Sequence, residues 1–137
     1  MTTPNPETAS ISRGRIWTAR VVQTLVLLFL LMDAGMKLAK PAFVVQSTVQ
    51  LGYPESTIVP IGVALLVCTI FWMIPRTAVF GAILLTGYLG GAVASNVRAA
   101  TPAFNLLFPL IFAVLVWFPL VLRDKKLESV LFGKETR

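Results

Sequence analysis

Histidine is absent from all 137 residues, and there is a single cysteine, Cys68. Without an imidazole nothing of that kind can ligate haem or zinc or act as the base beside a serine or cysteine nucleophile. One thiol closes no internal disulfide, and no C-x-x-C pair or glycine-rich phosphate loop is present. Charge is scarce as well, at 13% of residues against about 25% in a soluble domain. No catalytic residue and no metal ligand can be assigned from such an inventory. The expectation is a protein that is not an enzyme.

What fills the chain instead is apolar. Mean hydropathy is +0.80, and four long runs account for it: Ile16–Met36, Ser56–Ile74, Thr77–Val97 and Pro102–Leu122. The last three hold no charge, while the first is interrupted by Arg20 and Asp33. A run of about 20 apolar residues, rising ~1.5 Å each, crosses a ~30 Å hydrocarbon layer. The fold class expected is therefore all-α: an antiparallel bundle of four transmembrane helices, with spans near 16–38, 56–74, 77–97 and 102–122. The membrane domain runs over 13–122, after a disordered tail at 1–12 and before a basic tail at 123–137. An uncleaved first helix fits better than a signal peptide, because apolar character continues through Met36 without a clean small-x-small site.

The connections carry their own signals. Lys40-Pro41 ends the first helix. Ala42–Tyr53 is too short to span, and Phe43, Val44, Thr48 and Leu51 recur near helical spacing, so a short interfacial helix is expected between helices 1 and 2. Pro75-Arg76 leaves almost no loop before the third span, and Pro109 should kink the fourth. Leu127, Val130 and Leu131 suit either a short helix on the inner leaflet or a frayed tail.

The net charge of +6 sits at the span ends, where it meets anionic lipid rather than nucleic acid. With both termini in the cytoplasm, the inner side holds Arg13, Arg15, Arg20, Arg76, Arg123, Lys125, Lys126, Lys134 and Arg137, against Lys37, Lys40 and Arg98 outside. Trp17, Trp72 and Trp117 fall near that same inner boundary, where indole rings favour the interface.

Polar groups inside the membrane are the remaining candidates. Gln23, Val26, Leu30, Asp33 and Lys37 share one helical stripe that should face the bundle. Asp33 and Lys37, spaced i,i+4, suit an interfacial ion pair or part of a polar pocket. Asn96, Arg98 and Asn105 crowd the same end, with Phe104 and Phe108 nearby, as ordinary loop polarity or as a vestibule. Tyr88 lies near mid-membrane and needs a hydrogen-bond partner or a cavity. The candidate polar pocket is thus Asp33, Lys37, Tyr88, Asn96, Arg98 and Asn105. Small residues mark the third span: Gly87, Gly91 and Ser95 recur every four, Gly90 pairs with Ala94, and Gly81, Tyr88 and Ser95 recur every seven. Gly81, Gly87, Gly90, Gly91 and Ser95 are the candidate helix-packing positions, since small side chains let backbones approach in lipid.

At Asp33-Ala34-Gly35-Met36-Lys37-Leu38, Leu51-Gly52-Tyr53-Pro54, Ile61-Gly62-Val63-Ala64, Ile74-Pro75-Arg76-Thr77-Ala78 and Gly87–Ala94, in order between Arg15 and Leu122, the chain resembles the DoxX-like family of small bacterial membrane proteins. The resemblance implies a four-helix bundle of the inner membrane and a loose link to membrane redox chemistry. It is also the sole ground for naming quinone as a cofactor, as none is identifiable from the residues. Family members commonly carry Glu where Leu65 stands and His where Asn96 stands, so any proton or quinone chemistry at those positions is lost here or works differently. Lys37, Tyr88 and Arg98 remain as matching participants. The function expected is a non-catalytic membrane subunit or scaffold beside redox enzymes. The alternatives are a quinone- or lipid-binding oxidoreductase component and a small proton-coupled transporter, the last resting on Asp33 alone. A homo-oligomer or a membrane redox partner is the expected company.

Overall fold

The computed structural model describes residues 11–133; the expected tails at 1–10 and 134–137 lie outside them. Among the described residues the chain forms six α-helices: α1 (Arg13–Ala39), α2 (Ala42–Gln50), α3 (Ile58–Met73), α4 (Ala78–Arg98), α5 (Ala103–Arg123) and α6 (Lys125–Phe132). A 3-10 turn over Glu55–Thr57 leads into α3. Four are long and apolar enough to cross a membrane: α1, the unit Glu55–Met73, α4 and α5. This is the all-α bundle expected, with α2 between the first two crossings.

Local chemistry sets each boundary. Ser12 Oγ accepts from the Arg15 N–H at 3.3 Å and caps α1. Lys40 turns left-handed (φ 52°), returns its N–H to the Met36 carbonyl, and hands over to Pro41, which cannot continue the helix. Asp124 caps α6 through bonds from the Lys126 and Leu127 N–H groups. For α6 the helix therefore holds rather than the frayed tail. An ion pair between Arg15 and Glu128 (2.9 Å) ties α6 back to the start of α1.

The crossings form a ring in which α1 packs on α3 and α5, and α4 packs on α3 and α5. Four antiparallel passes put the start of α1 and the end of α5 on one side, here the terminal face; α2 lies at the far face. Leu65, Trp72, Ala82, Leu85 and Val116 are fully enclosed, and the same core continues toward the far face through Leu30, Ala34 and Leu89. One expectation is corrected here. Trp72, although near the terminal end of α3, does not face lipid: it is 0% exposed and donates its Nε1–H to the Val116 carbonyl at 3.2 Å. In α4, a Cβ on Gly81 would sit 2.2 Å from the Trp72 backbone nitrogen. That close approach holds α4 against the α3 backbone at the level of Trp72, whose indole fills the centre of the bundle. Trp17, in contrast, is 71% exposed.

Helix α5 continues through both Pro109 and Pro119. Proline has no N–H to give, so the Asn105 carbonyl loses the bond it would receive from position 109.

Candidate functional site

Toward the far face the ring opens into a cavity of about 700 Å³. Its origin is the small-residue stretch of α4. Gly87 and Gly91 line the space, and an added Cβ at either would meet nothing within 4 Å. Gly90 is equally unhindered and exposed. Of the five candidate packing positions, only Gly81 brings two helix backbones together within this chain. At Gly87 and Gly91 the missing side chains leave volume instead of making contact.

Aromatic rings form one wall. Phe29 of α1 stacks on Phe112 of α5 with centroids 4.3 Å apart, and Phe108 meets both, at 5.1 Å from Phe29 and 4.8 Å from Phe112. Phe104 stands at the rim, largely exposed. The polar end comes from α1, α4 and α5. Lys37 Nζ donates to Asp33 Oδ1 at 2.5 Å, and both side chains are largely shielded, at 21% and 30% exposed. The carboxylate and ammonium neutralise each other within the cavity wall. Beside them Tyr88 and Asn105 line the space, and neither side chain has a hydrogen-bond partner among the described residues. For Tyr88 the cavity reading therefore replaces the structural hydrogen bond. Asn96 is more committed: its Nδ2 donates to the Ala92 carbonyl, and its Oδ1 accepts from Thr101.

A lid covers the far end. Helix α2 contributes Ser47 and Thr48 to the lining, and the turn after it adds Leu51 and Tyr53. That turn is latched onto α4 at three points. Tyr53 Oη lies 2.7 Å from Ser95 Oγ; since the single Ser95 proton is given to the Gly91 carbonyl, Tyr53 is the donor. Arg98 donates to the Leu51 carbonyl at 2.9 Å and places its guanidinium over the Tyr53 ring, 5.2 Å from the centroid. Gly52 makes this possible with φ +83°, a conformation other residues adopt only at a cost. At the other end of α2, Lys40 pairs with Glu55 at 2.7 Å.

Five of the six expected pocket residues thus line one cavity: Asp33, Lys37, Tyr88, Asn96 and Asn105. Arg98 does not; it fastens the lid from outside, because its side chain is spent on Leu51 and Tyr53. Leu65, one of the two positions at which the resemblance implies a departure, lies in the packed core and not in the cavity. Tyr53, Ser95 as a latch, and the Phe29–Phe112 wall were missed as site residues. Phe108 and Phe112, one helical turn apart and in register with the polar end of α5, carried a usable signal; the Tyr53–Ser95 contact, made across 42 positions, carried none.

No group of three or more Cys, Asp or Glu side chains able to hold a metal is found among the described residues. In comparison with known proteins, the model of the DoxX-like family matches residues 21–119. No curated protein and no solved structure matches.

Proposed function

The chain belongs to the DoxX-like family and is a multi-pass integral membrane protein; from that premise we propose that it is a non-catalytic binder of a small, uncharged amphiphile. The observation carrying this reading is the divided lining of the 700 Å³ cavity, aromatic on one side and polar at one end. Its size falls in the ~300–1,000 Å³ range of small-molecule sites. An apolar body would lie along Phe29, Phe108 and Phe112. A head group would meet the free Tyr88 hydroxyl and Asn105 amide, both neutral. The self-neutralised Asp33–Lys37 pair offers no net charge to an ionic head, which favours a carbonyl- or hydroxyl-bearing molecule, a class that includes quinones and neutral lipids. The same reading puts the terminal face in the cytoplasm of a bacterial inner membrane. Arginine and lysine crowd that face, and Arg98 is the far-face cation left without a carboxylate partner among the described residues.

The test is direct. Purified protein in mild detergent, titrated with a short-chain benzoquinone and with a fatty acid of equal length, should bind the neutral ligand more tightly. Gly91→Leu fills the cavity from α4 and should abolish that binding while leaving thermal stability intact. Equal binding by Gly91→Leu and the parent would end the proposal, as would no binding of either ligand.

A second reading rests on Gly90 and Ala94. Both are exposed on α4, and no atom of another helix approaches within 4 Å of a Cβ at Gly90. They leave a strip for close approach by a second copy or a redox enzyme's membrane helix. Gly90→Leu should then release whatever partner co-purifies; retention of the partner would refute it.

A further inference from the structure

We infer that Arg20 and Arg123 hold the phosphodiester of an anionic lipid in a second cavity, at the terminal face and distinct from the amphiphile site. This cavity has a volume of about 240 Å³ and is lined by Arg20, Gln23, Thr24 and Leu27 of α1, Met73 of α3 and Arg123 of α5. The four α1 residues follow i, i+3, i+4, i+7 and so occupy one helical face. Thirteen residues of helix, about 20 Å at ~1.5 Å each, separate Arg20 from Asp33.

Two guanidinium groups on different helices thus border one small cavity. Among the described residues Arg15, Lys37 and Lys40 each hold a carboxylate, whereas neither Arg20 nor Arg123 has one within 4 Å. Like charges facing a shared, partly enclosed space repel each other unless an anion lies between them. Phosphate suits the position best, because its oxygens accept the planar fork of each arginine in pairs. Gln23 adds a neutral amide donor with no partner among the described residues. The Thr24 hydroxyl is already given to the Arg20 carbonyl at 2.8 Å, so it takes no part as a donor.

Depth and flanking chemistry select a lipid over a free ion. Arg123 is the last residue of α5, at the level where the apolar run ends. Arg20 meets it there although it lies seven residues inside α1, so the first turns of α1 stand beyond that level, where Arg15 pairs with α6. Leu27, two helical turns deeper on α1 than Arg20, and Met73, at the terminal end of α3, give the cavity an apolar flank for the first acyl carbons.

The test uses the full chain purified in mild detergent, with binding read by thermal unfolding and by native mass spectrometry. Phosphatidylglycerol should raise the unfolding midpoint and remain bound, while phosphatidylcholine should do neither. Arg20→Gln/Arg123→Gln should weaken phosphatidylglycerol binding about tenfold or more, and Lys125→Gln/Lys126→Gln should leave it unchanged. Equal weakening in both double variants would mean general attraction to charge and would overturn the site, as would parental binding in the arginine variant. A midpoint shift from inorganic phosphate with none from phosphatidylglycerol would overturn the lipid assignment. Should the double variant fail to fold, Arg20→Gln alone, at an exposed position, is expected to show a weaker but measurable loss; none would refute the inference.

Discussion

Adding one methyl group to α4 should have opposite consequences at two positions ten residues apart. A Cβ on Gly81 would lie 2.2 Å from the Trp72 nitrogen, 2.5 Å from its Cα and 2.6 Å from the Phe71 carbonyl carbon. All three obstacles are backbone of α3, so no side-chain rotation relieves them. To restore ordinary contact near 3.4 Å, α4 must move away by about 1 Å, loosening the packing around Trp72, Ala82 and Leu85. Overpacking of this kind costs about 1–3 kcal/mol, and Gly81→Ala belongs at the upper end because the neighbours are rigid. Replacing glycine by alanine within a helix returns about 0.5–1 kcal/mol, so the net loss expected is about 2 kcal/mol. At Gly91 only that gain applies, since nothing lies within 4 Å. Gly91→Ala should therefore be neutral or more stable by up to about 1 kcal/mol. Titration of the folded protein with dodecyl sulfate in mixed micelles, followed through tryptophan fluorescence in a Trp17→Phe/Trp117→Phe background that leaves buried Trp72 as the reporter, measures both. Equal stability of Gly81→Ala and the parent, or a loss at Gly91→Ala matching that at Gly81→Ala, would refute the account of how α4 packs.

Two further substitutions probe the site. Tyr53→Phe removes the donor to Ser95 and should loosen the lid, raising the ligand off-rate severalfold with stability lowered by only about 0.5–1.5 kcal/mol; an unchanged off-rate in stopped-flow would show that α2 does not gate the cavity. Asp33→Asn leaves the Lys37 ammonium without its partner, at a cost of about 1–2 kcal/mol, reduced from the fully buried case because both side chains keep some exposure. Asp33→Asn/Lys37→Met should recover most of that loss, and a double variant no more stable than the single one would show that the pair is not coupled.

The number of helices, their approximate ends and the short α2 were legible because each rests on a one-dimensional signal: run length, a proline, a helical period. The stripe through Val26, Leu30 and Asp33 was legible for the same reason, and its polar end does face the cavity. What escaped depends on relations between helices. The burial of Trp72 depends on α5, whose Val116 carbonyl accepts its indole N–H, and the diversion of Arg98 from the cavity to the lid follows from the path of the turn after α2. Neither is encoded in the spacing of residues along one segment.

The small residues of α4 show why spacing alone misleads. Gly81, Gly87 and Gly91 share one helix, yet the first sits against a neighbouring backbone and the other two face empty volume. The difference is set by where the ring closes. Near the terminal face the large side chains of Trp72, Leu85 and Val116 fill the centre, and close approach of α4 to α3 at Gly81 completes the packing. Nearer the far face, the inward positions of α4 are Gly87, Gly91 and Ala92, which are too small to reach across to Phe29 and Phe112. Helices held together at one end cannot close this gap by sliding inward without unpacking the other. In lipid the hydrophobic effect does not drive helices together, so nothing forces this gap shut, and the aromatic wall beside it is the surface that the apolar part of a bound amphiphile would cover.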